Sequence, residues 1–147
     1  MIAKRITPFL WFDGNAEEAM NFYVKIFKNS SIKSVNPMGG SFELDGQQFH
    51  ALNGGPQFKF TEAVSFFISC ADQEEIDYYW EKLTAEGGQE SMCGWLKDKF
   101  GLSWQVVPES LWGYIGGSDA EGAQRAMQAM LKMKKMDIAA LKAAYEG

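Results

Sequence analysis

The chain twice repeats the same two hydrophobic patterns, an apolar run followed by a helical apolar stripe. Residues 6–12 and 64–70 are rich in aromatic and β-branched side chains, which predicts two strands. Behind the first run, Ala19, Phe22, Tyr23 and Ile26 recur at helical spacing. Behind the second, Ile76, Tyr79, Trp80 and Leu83 do the same, so amphipathic helices are expected over about 15–28 and 72–86. The two stripes form an internal repeat, since residues 15–26 align with 72–83 at an offset of 57. Glu17/Glu74, Glu18/Glu75 and Lys25/Lys82 are identical between the copies. Each copy opens with Asn15 or Asp72 and has Glu18 or Glu75 three residues on, the spacing of a capping box.

Shorter strand patterns follow each helix, at about 31–37, 41–45 and 48–53 and then at about 89–92, 94–97 and 102–107. Asp45-Gly46 predicts a tight hairpin in the first set, and residues 98–101 predict the corresponding turn in the second. Each half therefore reads β-α-β-β-β, with Gly54-Gly55-Pro56 as the link. The fold class is α+β: two βαβββ modules, the first at about 1–55 and the second at about 60–110, within a domain of 1–117. Residues 118–147 form a helical extension that docks on the domain or on a dimer partner. There Ser118 and Glu121 have capping-box spacing, Ala123, Met127, Met130 and Leu131 follow a helical stripe, and Asp137 can cap a last helix carrying Leu141 and Tyr145.

Composition narrows the function. Fourteen Lys and Arg against nineteen Asp and Glu give a net charge of −5, which argues against nucleic acid and against an anionic membrane surface. No run approaches a membrane span, and the amino-terminal apolar run is too short for a signal peptide. Cys70 and Cys93 show no CxxC spacing; they allow one disulfide, but two isolated thiols in an acidic chain read better as reduced and cytoplasmic. Gly39-Gly40 and Gly54-Gly55 are turn glycines that form neither a dinucleotide fingerprint nor a phosphate loop. The connection at 13–15 lacks the glycine-rich loop of a Rossmann-type methyltransferase.

Several segments together carry a family likeness: PFLWFDGNAEEA at 8–19, ALNGGP at 51–56, EAVSF at 62–66, DYYW at 77–80, CGWLKDKFG at 93–101 and WQVVP at 104–108. In these the chain resembles the vicinal-oxygen-chelate superfamily of glyoxalases, ring-cleaving dioxygenases and bleomycin-resistance proteins. It resembles most its PhnB-like branch, which carries the label 3-demethylubiquinone-9 3-methyltransferase. The resemblance implies that the two modules form a cup-shaped mixed sheet with a ligand cavity on its inner face. It also implies a homodimer and a divalent metal held by the first and fourth strands of each module. Carried over residue by residue, the metal positions are Pro8, His50, Ser65 and Gln105. Proline has no donor and serine is a poor ligand, so only His50 and Gln105 qualify, and a metal is disfavoured.

Strand alternation then assigns cavity residues. Gln48, His50 and Leu52 should share one face, as should Pro8, Leu10 and Phe12, then Ser65, Phe67 and Ser69, then Ser103, Gln105 and Val107. Phe9, Trp11, Phe66, Ile68 and Trp104 should lie under the helices. His50 is either a half-exposed strand residue or a cavity-facing acid/base or ligand contact, with Gln105 or Ser65 as its polariser. Trp95 either packs at an edge or stacks a planar ligand. The resulting ligand-binding set is Phe12, Gln48, Ser65, Phe67 and Trp95, for a small planar or carbonyl-bearing metabolite. The alternatives are a metal-assisted lyase, dioxygenase or isomerase using His50 and a non-catalytic dimer that serves interaction only; the methyltransferase activity of the label is disfavoured for want of a methyl-donor motif.

Overall fold

A computed structural model describes residues 6–147. The signal-peptide reading concerns residues 1–5 in part, and that part lies outside the described residues. The chain divides into two compact units, Met1–Phe60 and Thr61–Gly147. The first contains β1 (Phe9–Phe12), α1 (Ala16–Ile26), β2 (Ser31–Asn36), β3 (Gly39–Leu44) and β4 (Gln47–Asn53). The second contains β5 (Phe66–Cys70), α2 (Gln73–Thr84), a 3-10 turn at Ala85–Gly87, β6 (Gln89–Glu90), β7 (Trp95–Lys97) and β8 (Ser103–Pro108). It continues into α3 (Leu111–Ile115), α4 (Ala120–Met130) and α5 (Ile138–Glu146). Each unit builds one mixed four-stranded sheet, ordered β1-β4-β3-β2 and β5-β8-β7-β6. In each, the first strand lies parallel beside the fourth, and the long connection that such a pairing requires runs through the helix and the two strands between them.

In the first unit α1 buries Ala19, Met20, Tyr23 and Ile26. The Tyr23 ring stacks on Phe42 with centroids 6.2 Å apart, and Phe42 stacks on Phe49 at 5.2 Å. The β3–β4 hairpin closes through Asp45 (φ 48°) and Gly46 (φ 80°), a left-handed pair that matches strand twist. In the second unit α2 buries Ile76, Trp80 and Leu83 and lies against β7 and β8, whose buried residues include Leu96, Trp104 and Val106.

The β7–β8 turn is organised by a buried carboxylate. Asp98 is 3% exposed and accepts from the Phe100 amide at 2.8 Å, the Leu102 amide at 3.1 Å and the Trp104 indole at 2.9 Å. These donors hold a charge in the interior that would otherwise be strongly disfavoured.

Two of the expected caps differ. Asn15 makes no cap bond, and the first amide of α1 is instead satisfied by Asn53 Oδ1, at 2.8 Å from Ala16 N. The N-cap of α4 is Asp119 rather than Ser118, accepting from Gly122 at 3.2 Å. Asp72 accepts from Glu75 at 2.9 Å, and Glu75 reaches back to the amide of Ala71 at 2.7 Å. Asp137 caps α5 through Ala140 at 3.1 Å.

The carboxy-terminal segment docks on the second unit. The amides of Cys93 and Gly94 donate to the carbonyls of Met133 and Lys134 at 2.7 and 2.9 Å. Gln73 forks onto the segment, donating to Met136 O at 3.0 Å and accepting from Ile138 N at 2.9 Å. Met136 and Leu141 are buried there. Along α4 the buried residues are Gly122 and Ala126, one step off the expected stripe, and Leu131 is exposed.

Candidate functional site

In each sheet one face meets a helix and the other is open, and the polar side chains singled out in the sequence collect on the open faces. On the second sheet, cross-strand pairing puts Gln89, Lys97 and Ser103 in one row. Trp95, Gln105 and Phe67 form the next row. Paired residues in neighbouring strands point to the same side, so each row is a contiguous strip of surface. Gln105 Nε2 donates to Ser65 Oγ at 3.0 Å. The Phe67 ring lies 6.4 Å from that of Trp112, nearly parallel to it. The structure thus brings together Ser65, Phe67, Trp95 and Gln105, while Phe66, Ile68 and Trp104 have the opposite parity, as the alternation implied. Beside this strip lies a cavity of about 250 Å³ lined by Glu62, Gln89, Ser91, Trp95, Lys97 and Ser103. Lys97 is ion-paired with Glu62 and holds that carboxyl below the usual range. Glu90, also on the wall, accepts from the Trp80 indole at 2.6 Å.

On the first sheet the expected parity of β1 is reversed. Phe9 is the register partner of His50, and Trp11 that of Leu52. The face that carries His50 therefore carries Phe9 and Trp11, not Pro8, Leu10 and Phe12. Leu10 and Phe12 are buried on the other side, and the Phe12 ring meets Phe60 at 5.4 Å. This corrects the placement of Phe12 among the ligand contacts. It also corrects the placement of Phe9 and Trp11 under the helix. Trp11 instead donates its indole N–H to Gly55 O at 2.8 Å and lies on Gly54, where no side chain would fit. His50 lines a shallow open cavity of about 260 Å³ with Phe9, Ser34, Asn36, Met38 and Ser41. Its ring is 5.7 Å from that of Phe9. Gln48 is exposed and does not line that cavity.

The buried Cys70 thiol is pushed up to about 12 by desolvation first and by Glu75 second, so it is an inert core group. Cys93 is half-buried, with Sγ 3.6 Å from Met130 O.

Lys97, Gln89 and Glu62 escaped the sequence reading. The signal was available for two of them. Lys97 is two residues from Trp95 and so shares its face, and Gln89 pairs with Lys97. Glu62 precedes β5 and has no periodicity to place it.

The sequence model of the 3-demethylubiquinone-9 3-methyltransferase family matches residues 4–107. The chain belongs to this family. Among solved structures it is similar to a PhnB protein from Bacillus cereus at 36% identity, with a TM-score of 0.62, over 71% of this chain and 99% of that one. A protein from Pseudomonas aeruginosa has the same fold at 21% identity and a TM-score of 0.59, over 73% of this chain and 98% of that one. So does a glyoxalase/bleomycin resistance protein from Albidiferax ferrireducens, at 13% identity and a TM-score of 0.51, over 69% and 95%. A search of the curated proteins found no match. The family match ends at residue 107, so α3, α4 and α5 lie beyond it. The family is PhnB-like, and the fold is shared with the glyoxalase/bleomycin resistance protein.

The donor groups do not fit the metal that the sequence resemblance implies. Pro8 offers no side-chain ligand, Ser65 is a weak one, and among the described residues no three His, Cys, Asp or Glu side chains converge. Nor do the residues fit a methyl donor held in a Rossmann-type cradle. β1 leads into α1 through Asp13-Gly14-Asn15, with one glycine, and the sheets are mixed rather than doubly wound. Among the described residues no helix is long and apolar enough to cross a membrane.

Proposed function

We propose that this PhnB-like protein binds a small planar or carbonyl-bearing metabolite on the open face of its second sheet. The observation that carries this reading is the strip Trp95–Gln105–Phe67 with Ser65 hydrogen-bonded to Gln105. It pairs flat apolar surface with a polar centre that can exchange its internal hydrogen bond for one to a carbonyl. Saturation-transfer NMR with a set of planar carbonyl compounds tests it. Saturable binding that weakens in Gln105→Leu and Trp95→Ala supports the reading. Binding indifferent to both variants contradicts it.

A catalytic reading rests on His50, the only histidine, which lines the cavity on the first sheet. Among the described residues its imidazole has no hydrogen-bond partner, whereas a poised general base is oriented by a third group. Elemental mass spectrometry of protein purified without added metal, repeated on His50→Ala, addresses the metal-assisted form. Near-stoichiometric metal that disappears in the variant would favour this reading over simple binding.

The partner we propose is a second copy of the chain. Phe9 and Met38, 62% and 63% exposed, leave apolar surface on the open side of the first sheet. Sedimentation equilibrium should give a dimer, with Phe9→Glu shifted toward monomer. No nucleic acid or membrane enters this reading, and the compartment we propose is the cytoplasm.

A further inference from the structure

The cavity beside the strip contains one unsatisfied buried group. Ser103 is 1% exposed, and among the described residues its hydroxyl has no hydrogen-bond partner although it lines the cavity. A buried hydroxyl left unpaired is costly and calls for an explanation. Its cross-strand neighbour on the same face is Lys97, and Gln89 follows Lys97 in that row. The cavity floor is therefore a line of groups that can donate hydrogen bonds, one of them cationic, with the Trp95 ring as a wall and two carboxylates at the rim, Glu62 on Lys97 and Glu90 on the Trp80 indole.

Glu62 shows what this floor accepts. It comes from the segment before β5, its side chain is 61% exposed, and its carboxylate sits on the Lys97 ammonium. An exposed ion pair of this kind contributes little to stability, so an incoming carboxylate can replace it.

We infer that the cavity takes a small planar carboxylate. One ligand oxygen displaces Glu62 from Lys97, the other accepts from Ser103, and the flat part lies on Trp95. This rests on the ligand-binding reading above and adds the charge of the ligand and the residues that select it. Glu62 is then an internal competitor, holding the ammonium in place until a ligand arrives.

Benzoate, benzamide and benzylamine, equal in shape and different in charge, are suitable probes for titration into the full chain followed by saturation-transfer NMR. Benzoate should bind saturably. Lys97→Met should weaken it about tenfold or more, because a charge-assisted bond is lost. Ser103→Ala should weaken it about fivefold through loss of one hydrogen bond. Glu62→Gln should tighten it about threefold by freeing Lys97, an effect that a merely structural ion pair would not give. Each variant is checked for folding by circular dichroism, and Glu62→Gln, at an exposed site, keeps the test available if Lys97→Met does not fold. Benzamide or benzylamine binding as well as benzoate, or benzoate binding unchanged by Lys97→Met, would overturn the inference and leave the binding reading standing. If none of the three binds up to millimolar concentration, and planar carbonyl compounds also fail, the binding reading falls and the inference with it.

Discussion

The two modules repeat one pattern but are held by different local devices. In the first, β3 and β4 are joined by a two-residue turn whose cost is backbone conformation alone, Asp45 and Gly46 both being left-handed. In the second, the β7–β8 turn is longer and is tied by Asp98, a buried carboxylate with three donors. The helix of the first module receives its cap from a distant strand residue, Asn53, while that of the second is capped locally by Asp72 and Glu75. The second module also carries the docked carboxy-terminal segment, latched by Gln73. The same order of elements thus yields one open face with a lone histidine over a shallow depression and another with a fixed polar strip. On the reading we propose, a ligand gains more from the fixed strip, because less must be ordered on binding.

The largest expected effect separates the two turns. Asp98→Ala leaves three donors without their charged partner and should cost about 3 kcal/mol or more in urea unfolding. Asp45→Ala, at the exposed turn of the first module, should cost about 1 kcal/mol, the penalty of a left-handed alanine. Equal losses would remove the distinction.

The caps give the next contrast. Asn53→Ala should destabilise by about 1–2 kcal/mol and Asp72→Ala by about 1 kcal/mol, with Asn15→Ala close to neutral. A large loss in Asn15→Ala would restore the local cap that the repeat suggested.

Those cap residues show what the sequence made legible. Helical spacing and the repeat placed all eight strands and both crossover helices to within a few residues, because alternation and the 3.6-residue period are local signals. Asn15 was misread because capping by Asn53 depends on the β4 register, which spacing does not reveal. Phe12 was misread for a different reason. Residues 8–12, Pro-Phe-Leu-Trp-Phe, are apolar on both faces, so nothing in the run marks which side is inward. On β5 and β8, by contrast, the repeat offset of 57 and the turn at 98–101 placed Ser65 and Gln105 through the family resemblance, and the register puts Phe67 beside Gln105.

A smaller effect tests the latch on the second module. Gln73→Ala removes both bonds to the carboxy-terminal segment and should cost about 1 kcal/mol. It should also speed proteolysis within residues 131–137. Unchanged cleavage would mean that burial of Met136 and Leu141 and the bonds from the Cys93 and Gly94 amides hold the segment without Gln73.

The smallest effect is chemical. At about pH 8 iodoacetamide should modify Cys93 and spare Cys70, whose thiol is buried and whose pKa is raised. Prompt labelling of Cys70 would show that the second module opens readily.

Amide chemical-shift mapping of the full chain with planar carbonyl compounds compares the two open faces directly. Perturbations gathered at Ser65, Phe67, Trp95 and Gln105 are the expected result. Perturbations gathered instead at Phe9, Ser41 and His50 would place the ligand on the first module and contradict the account.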